Sequence, residues 1–183
     1  MKLPDITILD EKDKRLRLVS EEVTFPLSNE DKTNIKNMLE YLKISQIDEW
    51  REKYNLRAGM GLSYIQIGIP KRIFVVVDEV EENEFENYIL INPKIVSNSE
   101  ELIYVGEGEG CLSVNREVEG IVPRYARITV EAYDLDGNPF TIRVREDLSI
   151  AFQHELDHLN GILFIDKIDP KNPYKNAGNM REI

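Results

Sequence analysis

The sequence has little cysteine and little histidine. One of its 183 residues is cysteine, Cys111, so an intrachain disulfide is excluded. Only two residues are histidine, and they sit four residues apart around a glutamate, in Gln153-His154-Glu155-Leu156-Asp157-His158. Long apolar runs are missing. The longest, Ile73–Val77, has strand length and falls far short of the ~18 residues a membrane span needs. Basic surplus is missing too: the net charge of −11 argues against a nucleic-acid binder that relies on a cationic surface, so no direct nucleic-acid binding is expected. Ten glycines and eight prolines are too few for a low-complexity chain. Met1 to Arg17 holds no apolar core followed by a cleavage site, so no signal peptide and a cytoplasmic location are expected.

What is present suits one globular domain over residues 1–183, with 42% hydrophobic and 31% charged residues. Ser28-Asn29-Glu30-Asp31 has the form of a helix start, and Ile35, Met38, Leu39 and Leu42 follow at helical spacing. The pattern leaves open whether this helix continues through Ile47 and Trp50; it is over by about Leu56, before Gly59-Met60-Gly61. Ile73–Val77, Tyr88–Ile91, Lys94–Val96, Tyr125–Tyr133 and Phe140–Val144 read as strands, with Asp136-Gly137 as a hairpin turn. The acidic stretch Asp78 to Glu86 reads as a solvated loop. A second helix is expected from an N-cap at Asp147 to Asn160-Gly161, then a short strand at Ile162–Ile165 and an irregular tail from Pro170. Together these predict an α+β domain: antiparallel or mixed strands packed around a central helix that carries both histidines, with another helix near the N-terminus.

On a helix, residues four apart share a face, so His154 and His158 can direct two imidazoles at one cation, with Glu155 beside them to handle a proton. The competing reading is a solvated helix with two surface histidines. Phe152, Leu156, Leu159 and Ile162 argue against it, because they imply that much of the helix is buried. A catalytic cation needs a third protein ligand. Cys111, Asp166, Asp169 and Glu182 are candidates. Cys111 is preferred, since a thiolate suits zinc or ferrous iron and follows the glycine-rich Gly106-Glu107-Gly108-Glu109-Gly110, where backbone can approach a site closely.

Three segments, in this order, resemble the motifs of one family, the peptide deformylases: Gly59-Met60-Gly61-Leu62 with Gln66, then Glu109-Gly110-Cys111-Leu112-Ser113, then the histidine motif. The similarity runs from about Leu16 to Ile168. The residues between the first two motifs, and those before Val122-Pro123-Arg124, resemble the longer form found in Gram-positive bacteria and their relatives. The resemblance implies an α+β fold and an enzyme that removes the formyl group from the N-terminal formyl-methionine of new polypeptides, releasing formate. It implies one divalent metal, ferrous iron first, with nickel, cobalt or zinc able to take the site. Carried over residue by residue, Cys111, His154 and His158 bind the metal and Glu155 moves the proton. Gln66 and the backbone N–H of Leu112 hold the oxyanion. Met60, Gly61, Leu62 and Gly110 are expected to meet the substrate, Gly61 through its backbone. Formyl-methionyl nascent peptides are the implied partners, with a transient ribosome contact and no membrane.

One departure stands out. The family's first motif usually has two alanines after Gly-Leu, where this chain has Ser63 and Tyr64. Looser packing is expected there, or a Tyr64 that points to solvent or to a partner. Glu109 and Arg124 are expected to pair near the site. Two other functions compete. A zinc metallopeptidase would take an oxygen ligand such as Asp166 or Glu182 in place of Cys111. A non-catalytic metal-binding module would not need Glu155.

Overall fold

A computed structural model describes residues 1–183, and its architecture is the α+β domain expected from the sequence. Five antiparallel strands form the main sheet in the order β1-β2-β3-β6-β7: β1 (Gly61–Ser63), β2 (Ile73–Glu81), β3 (Glu84–Asn98), β6 (Arg127–Tyr133) and β7 (Pro139–Arg145). A smaller mixed sheet in the order β5-β4-β8 joins β5 (Arg124–Tyr125), β4 (Leu102–Tyr104) and β8 (Arg181–Glu182). Three α-helices accompany them: α1 (Asn29–Gln46), α2 (Asp48–Tyr54) and α3 (Glu146–Leu159).

Ile73–Val77 is apolar at every position because β2 is covered on both faces. Ile73, Val75 and Val77 pack with Ile35, Met38 and Leu42 of α1. Phe74 and Val76 pack on the other side with Phe152, Leu156 and Leu159 of α3. The sheet is thus held between two helices, and α3 lies inside the molecule with the motif residues turned toward one end.

Helix α1 begins where Ser28 accepts a hydrogen bond from Asp31 N–H at 3.0 Å, satisfying one of the free first-turn amides. It does not run on through Trp50: Ile47 is extended, and α2 restarts after it and closes on Asn55 in the left-handed region.

Several sequence expectations fail at element level. The acidic stretch Asp78–Glu86 is not a loop. Its ladder pairs Asp78 with Glu86 and Glu79 with Phe85, so β2 and β3 continue as an exposed hairpin to a turn at Glu82-Asn83. The backbone ladder overrides charge here, and Phe85 packs one face of the hairpin against the core beside α1. Pro93 does not separate two strands: β3 runs through it, and the register shifts between Ile91 and Lys94 to absorb the missing N–H. Tyr125 belongs to the small sheet, so β6 starts at Arg127; its Ile128, Val130 and Ala132 face inward as the alternation requires. Asp147 lies inside the first turn of α3 instead of capping it. Ile162–Ile165 forms no strand, because Phe164–Lys167 closes a 3-10 turn with Asp166 accepting from Leu163 N–H at 2.9 Å. The tail is more ordered than expected, with β8 adding in parallel beside β4.

Candidate metal centre and hydrolytic cleft

Helix α3 carries His154, Glu155 and His158, all buried; His154 and Glu155 line a cleft of about 480 Å³, and His158 lies behind them. Cys111 enters from the glycine-rich loop between β4 and β5. The donor atoms of Cys111, His154 and His158 lie within 4.8 Å of one another, a spacing that one small cation can bridge. Cys111 Sγ is 3.3 Å from His158 Nε2. Asp166 is engaged with Arg17, Asp169 caps Lys171 N–H at 2.9 Å, and Glu182 packs against Gly106, so none of these oxygen donors joins the trio.

A buried support surrounds the donors. His154 Nδ1 is 2.9 Å from Glu109 Oε1, which fixes the ring and leaves Nε2 for a ligand. Arg124, 2% exposed, grips Glu109 through two bonds of 2.8 and 2.9 Å and reaches Asp157 at 2.6 Å. The expected Glu109–Arg124 pair is therefore present, extended to the helix itself. Burial pushes the Glu109 carboxyl up, but Arg124 and His154 outweigh it and hold it at about 2. Burial also opposes a charge on His154, yet Cys111 and Glu109 lift that imidazole well above its usual range. Burial, reinforced by His154 and Arg124, drives His158 well below its usual range. The surroundings thus favour positive charge beside Cys111 and Glu109 and a neutral second imidazole. A divalent cation on one thiolate and two neutral imidazoles fits both demands. His158 Nδ1 is buried with no hydrogen-bond partner, so that ring is held by packing and by the contact of its Nε2 with Cys111 Sγ.

Glu155 faces the same cleft, and burial raises its pKa, opposed by His154 and Ser63. Gln66 is 1% exposed. Its Oε1 accepts from Ser63 N–H at 2.9 Å, which turns Nε2 toward Ser113 Oγ at 3.0 Å and Cys111 Sγ at 3.6 Å. Leu112 N–H has no acceptor within the protein, and its side chain presses on Gly59, where a Cβ would meet it at 2.6 Å. Met60, Gly61 and Gly110 line the cleft. Strand β1 is the outermost strand of the main sheet, and of its three residues only Gly61 is partly exposed, on the cleft. Leu62 is different: the whole residue is buried in the core under α1 and does not line the cleft, so the structure does not bring it to the substrate face expected for it.

Tyr64 corrects an expectation. It is fully buried, pointing neither to solvent nor to a partner; its hydroxyl donates to Asp31 Oδ1 at 2.7 Å and accepts from Asn34 Nδ2 at 3.0 Å. Sequence reasoning missed three contributors. Arg57 lines the cleft and clamps the loop behind Cys111, donating to Cys111 O at 3.1 Å, Leu112 O at 3.0 Å and Val114 O at 2.9 Å. Asp78 and Asp147 put carboxylates at its wall. None of the three sits in a motif, so no local signal could have marked them.

Comparison with known proteins agrees with this geometry. The family model described as polypeptide deformylase matches residues 6–174. The peptide deformylase 2 of Bacillus cereus is 47% identical over 176 residues, covering 96% of both chains. That of Bacillus subtilis is 46% identical over 168 residues, covering 92% of this chain and 91% of the relative. Among solved structures, a peptide deformylase from Synechococcus elongatus in complex with actinonin superimposes with a TM-score of 0.77 at 28% identity, covering 98% of this chain and 91% of that one. A peptide deformylase from Legionella pneumophila gives 0.74 at 32% identity, covering 92% and 88%. The Bacillus relatives accord with the resemblance to the longer Gram-positive form. Matched this far along its length, by model, relatives and architecture alike, the chain belongs to the polypeptide deformylase family.

Proposed function

We propose that residues 1–183 act as one catalytic domain, a metal-dependent hydrolase that removes the N-formyl group from the N-terminal formyl-methionine of new polypeptides and releases formate. The observation that carries this reading is the buried trio Cys111, His154 and His158, whose Cys111 and His154 open with Glu155 onto one cleft. The trio would hold the metal, ferrous iron first and nickel, cobalt or zinc as substitutes. When bound, the metal supplies Lewis-acid polarisation and makes water a nucleophile at neutral pH.

Every other task falls to side chains and backbone. Glu155 takes the proton of the attacking water and delivers it to the leaving amine as the formamide C–N bond breaks. Its raised pKa suits a group that must both accept and return a proton. Gln66 Nε2 and Leu112 N–H stabilise the oxyanion on the formyl carbon, and losing one such donor typically costs ~10²–10³ in rate. Met60 and Gly61, with Gly110 also lining the cleft, hold the peptide beside the edge of β1, and Leu62 supports that strip from within the core. The substrate being a nascent chain, we extend the proposal to a cytoplasmic enzyme in transient contact with the ribosome. A thiolate ligand should make the ferrous form sensitive to air.

The test is formate release from a short formyl-methionyl peptide, without oxygen, by iron- or nickel-loaded protein. Formate should accumulate in step with a new free amine. Cleavage of an internal amide with the formyl group left in place would instead assign a peptidase.

A further inference from the structure

Where the family resemblance leads one to expect alanine, Ser63 places a hydroxyl against the residue assigned above as the proton carrier. Ser63 is fully buried, and its Oγ lies 2.7 Å from Glu155 Oε2 and 2.8 Å from Glu155 O. Both acceptors belong to the same residue, one on its side chain and one on its backbone, and the hydroxyl's single proton is shared between them as a bifurcated bond. The other carboxylate oxygen is placed differently. Oε1 lies over Gly61, 2.7 Å from where a Cβ would stand, and Gly61 and Glu155 both line the cleft.

We infer that Ser63 is a positioning residue for the reaction: its hydroxyl pins Oε2 of Glu155 and thereby leaves Oε1 as the oxygen that exchanges the proton. A hydrogen bond to a charged, buried carboxylate is among the stronger ones, and it restricts a side chain whose terminal torsion is otherwise broad. Ser63 is itself held firmly. It pairs with Phe74 across β1 and β2, and its N–H donates to Gln66 Oε1 at 2.9 Å. Tyr64, the next residue, is anchored to Asp31 of α1. One short segment therefore sets the orientation of two groups used in the reaction, Glu155 through the Ser63 hydroxyl and Gln66 through the Ser63 backbone. An alanine here keeps the backbone bond and deletes only the hydroxyl, so the two effects separate.

The inference rests on Glu155 as the proton carrier, and the experiment separates the two claims. Steady-state deformylation of a formyl-methionyl peptide is measured for metal-loaded wild type, Ser63→Ala, Ser63→Thr, Ser63→Val and Glu155→Ala, with metal content and Tm measured on each. Ser63→Ala should lower kcat about tenfold with KM within about twofold and metal content unchanged. Threonine and valine have the same shape at this buried point, so they isolate the hydroxyl from volume. Ser63→Thr should exceed Ser63→Val in kcat by about the same tenfold. In the metal-free protein, the Tm change of Ser63→Ala should shrink when Glu155 is already alanine, a coupling read without turnover. Wild-type kcat in Ser63→Ala, or equal kcat in the threonine and valine variants, would overturn the role of Ser63 while an inactive Glu155→Ala leaves the role of Glu155 standing. An active Glu155→Ala would remove the premise as well.

Discussion

Gly61 and Glu155 occupy each other's space, and that contact defines the site at the scale of single residues. A Cβ on Gly61 would stand 2.7 Å from Glu155 Oε1 and 2.9 Å from its Cγ. Gly61→Ala should therefore displace the carboxylate: kcat should fall by about two orders of magnitude with metal content unchanged, as assayed by formate release and metal analysis on one sample. Arg124 makes a second case. Its guanidinium is 2% exposed and is shared between Glu109 and Asp157. Arg124→Ala leaves a buried carboxylate without its partner and should cost about 3–5 kcal/mol of stability in denaturant titration. Arg124→Lys should recover only part of it, because an ammonium cannot reproduce the two-bond grip on Glu109. The three clustered donor residues were legible because the only two histidines fall at helical spacing and Cys111 sits in a second motif. The hydroxyl of Ser63 was not: its partner lies 92 residues away, and no local pattern carries a contact of that range.

At the scale of elements, the packing of the segment after β1 against α1 depends on a buried polar cluster. Tyr64 OH donates to Asp31 Oδ1 at 2.7 Å, and Lys71 Nζ reaches Asp31 Oδ2 at 2.8 Å. Tyr64→Phe should cost about 1–2 kcal/mol by leaving Asp31 and Asn34 short of a partner, measured as a shift in urea midpoint. Burial pushes the Asp31 carboxyl up, but Lys71 and Tyr64 outweigh it, and its pKa is lowered from the ordinary 3.8. A depressed folded-state pKa stabilises the fold above the ordinary value, and that stabilisation is lost as pH falls through the lower folded value. Asp31→Asn should accordingly reduce overall stability near neutrality and flatten its decline in acid. The sequence showed both major helices because their apolar residues recur at helical spacing. It misread the Asp78–Glu86 hairpin because solvated strands carry no apolar signature, and it misread Ile162–Ile165 because a four-residue apolar run does not distinguish a strand from a 3-10 turn.

At the scale of the whole molecule, the centre ties together parts that are remote in sequence. Cys111 comes from a loop beside the small sheet, and both histidines come from a helix packed on the large one. A metal bound between them should stabilise the fold as a cross-link does: chelation should lower Tm reversibly, and the shift should grow with the free metal concentration before removal. Cys111→Ala should abolish most of that dependence. The α+β class was legible because strand runs and helical runs are separate in the sequence. The division into two sheets was not, since the break at Ala126 and the return of Arg181–Glu182 to β4 depend on contacts between distant segments.

The central claim is that Glu155 moves a proton for a metal held by Cys111, His154 and His158. The direct measurement is formate release by Glu155→Ala and wild type at matched metal occupancy, without oxygen. The variant should bind one metal per chain and lose activity by about 10²–10⁴-fold. A variant that keeps both its metal and its turnover would contradict the account.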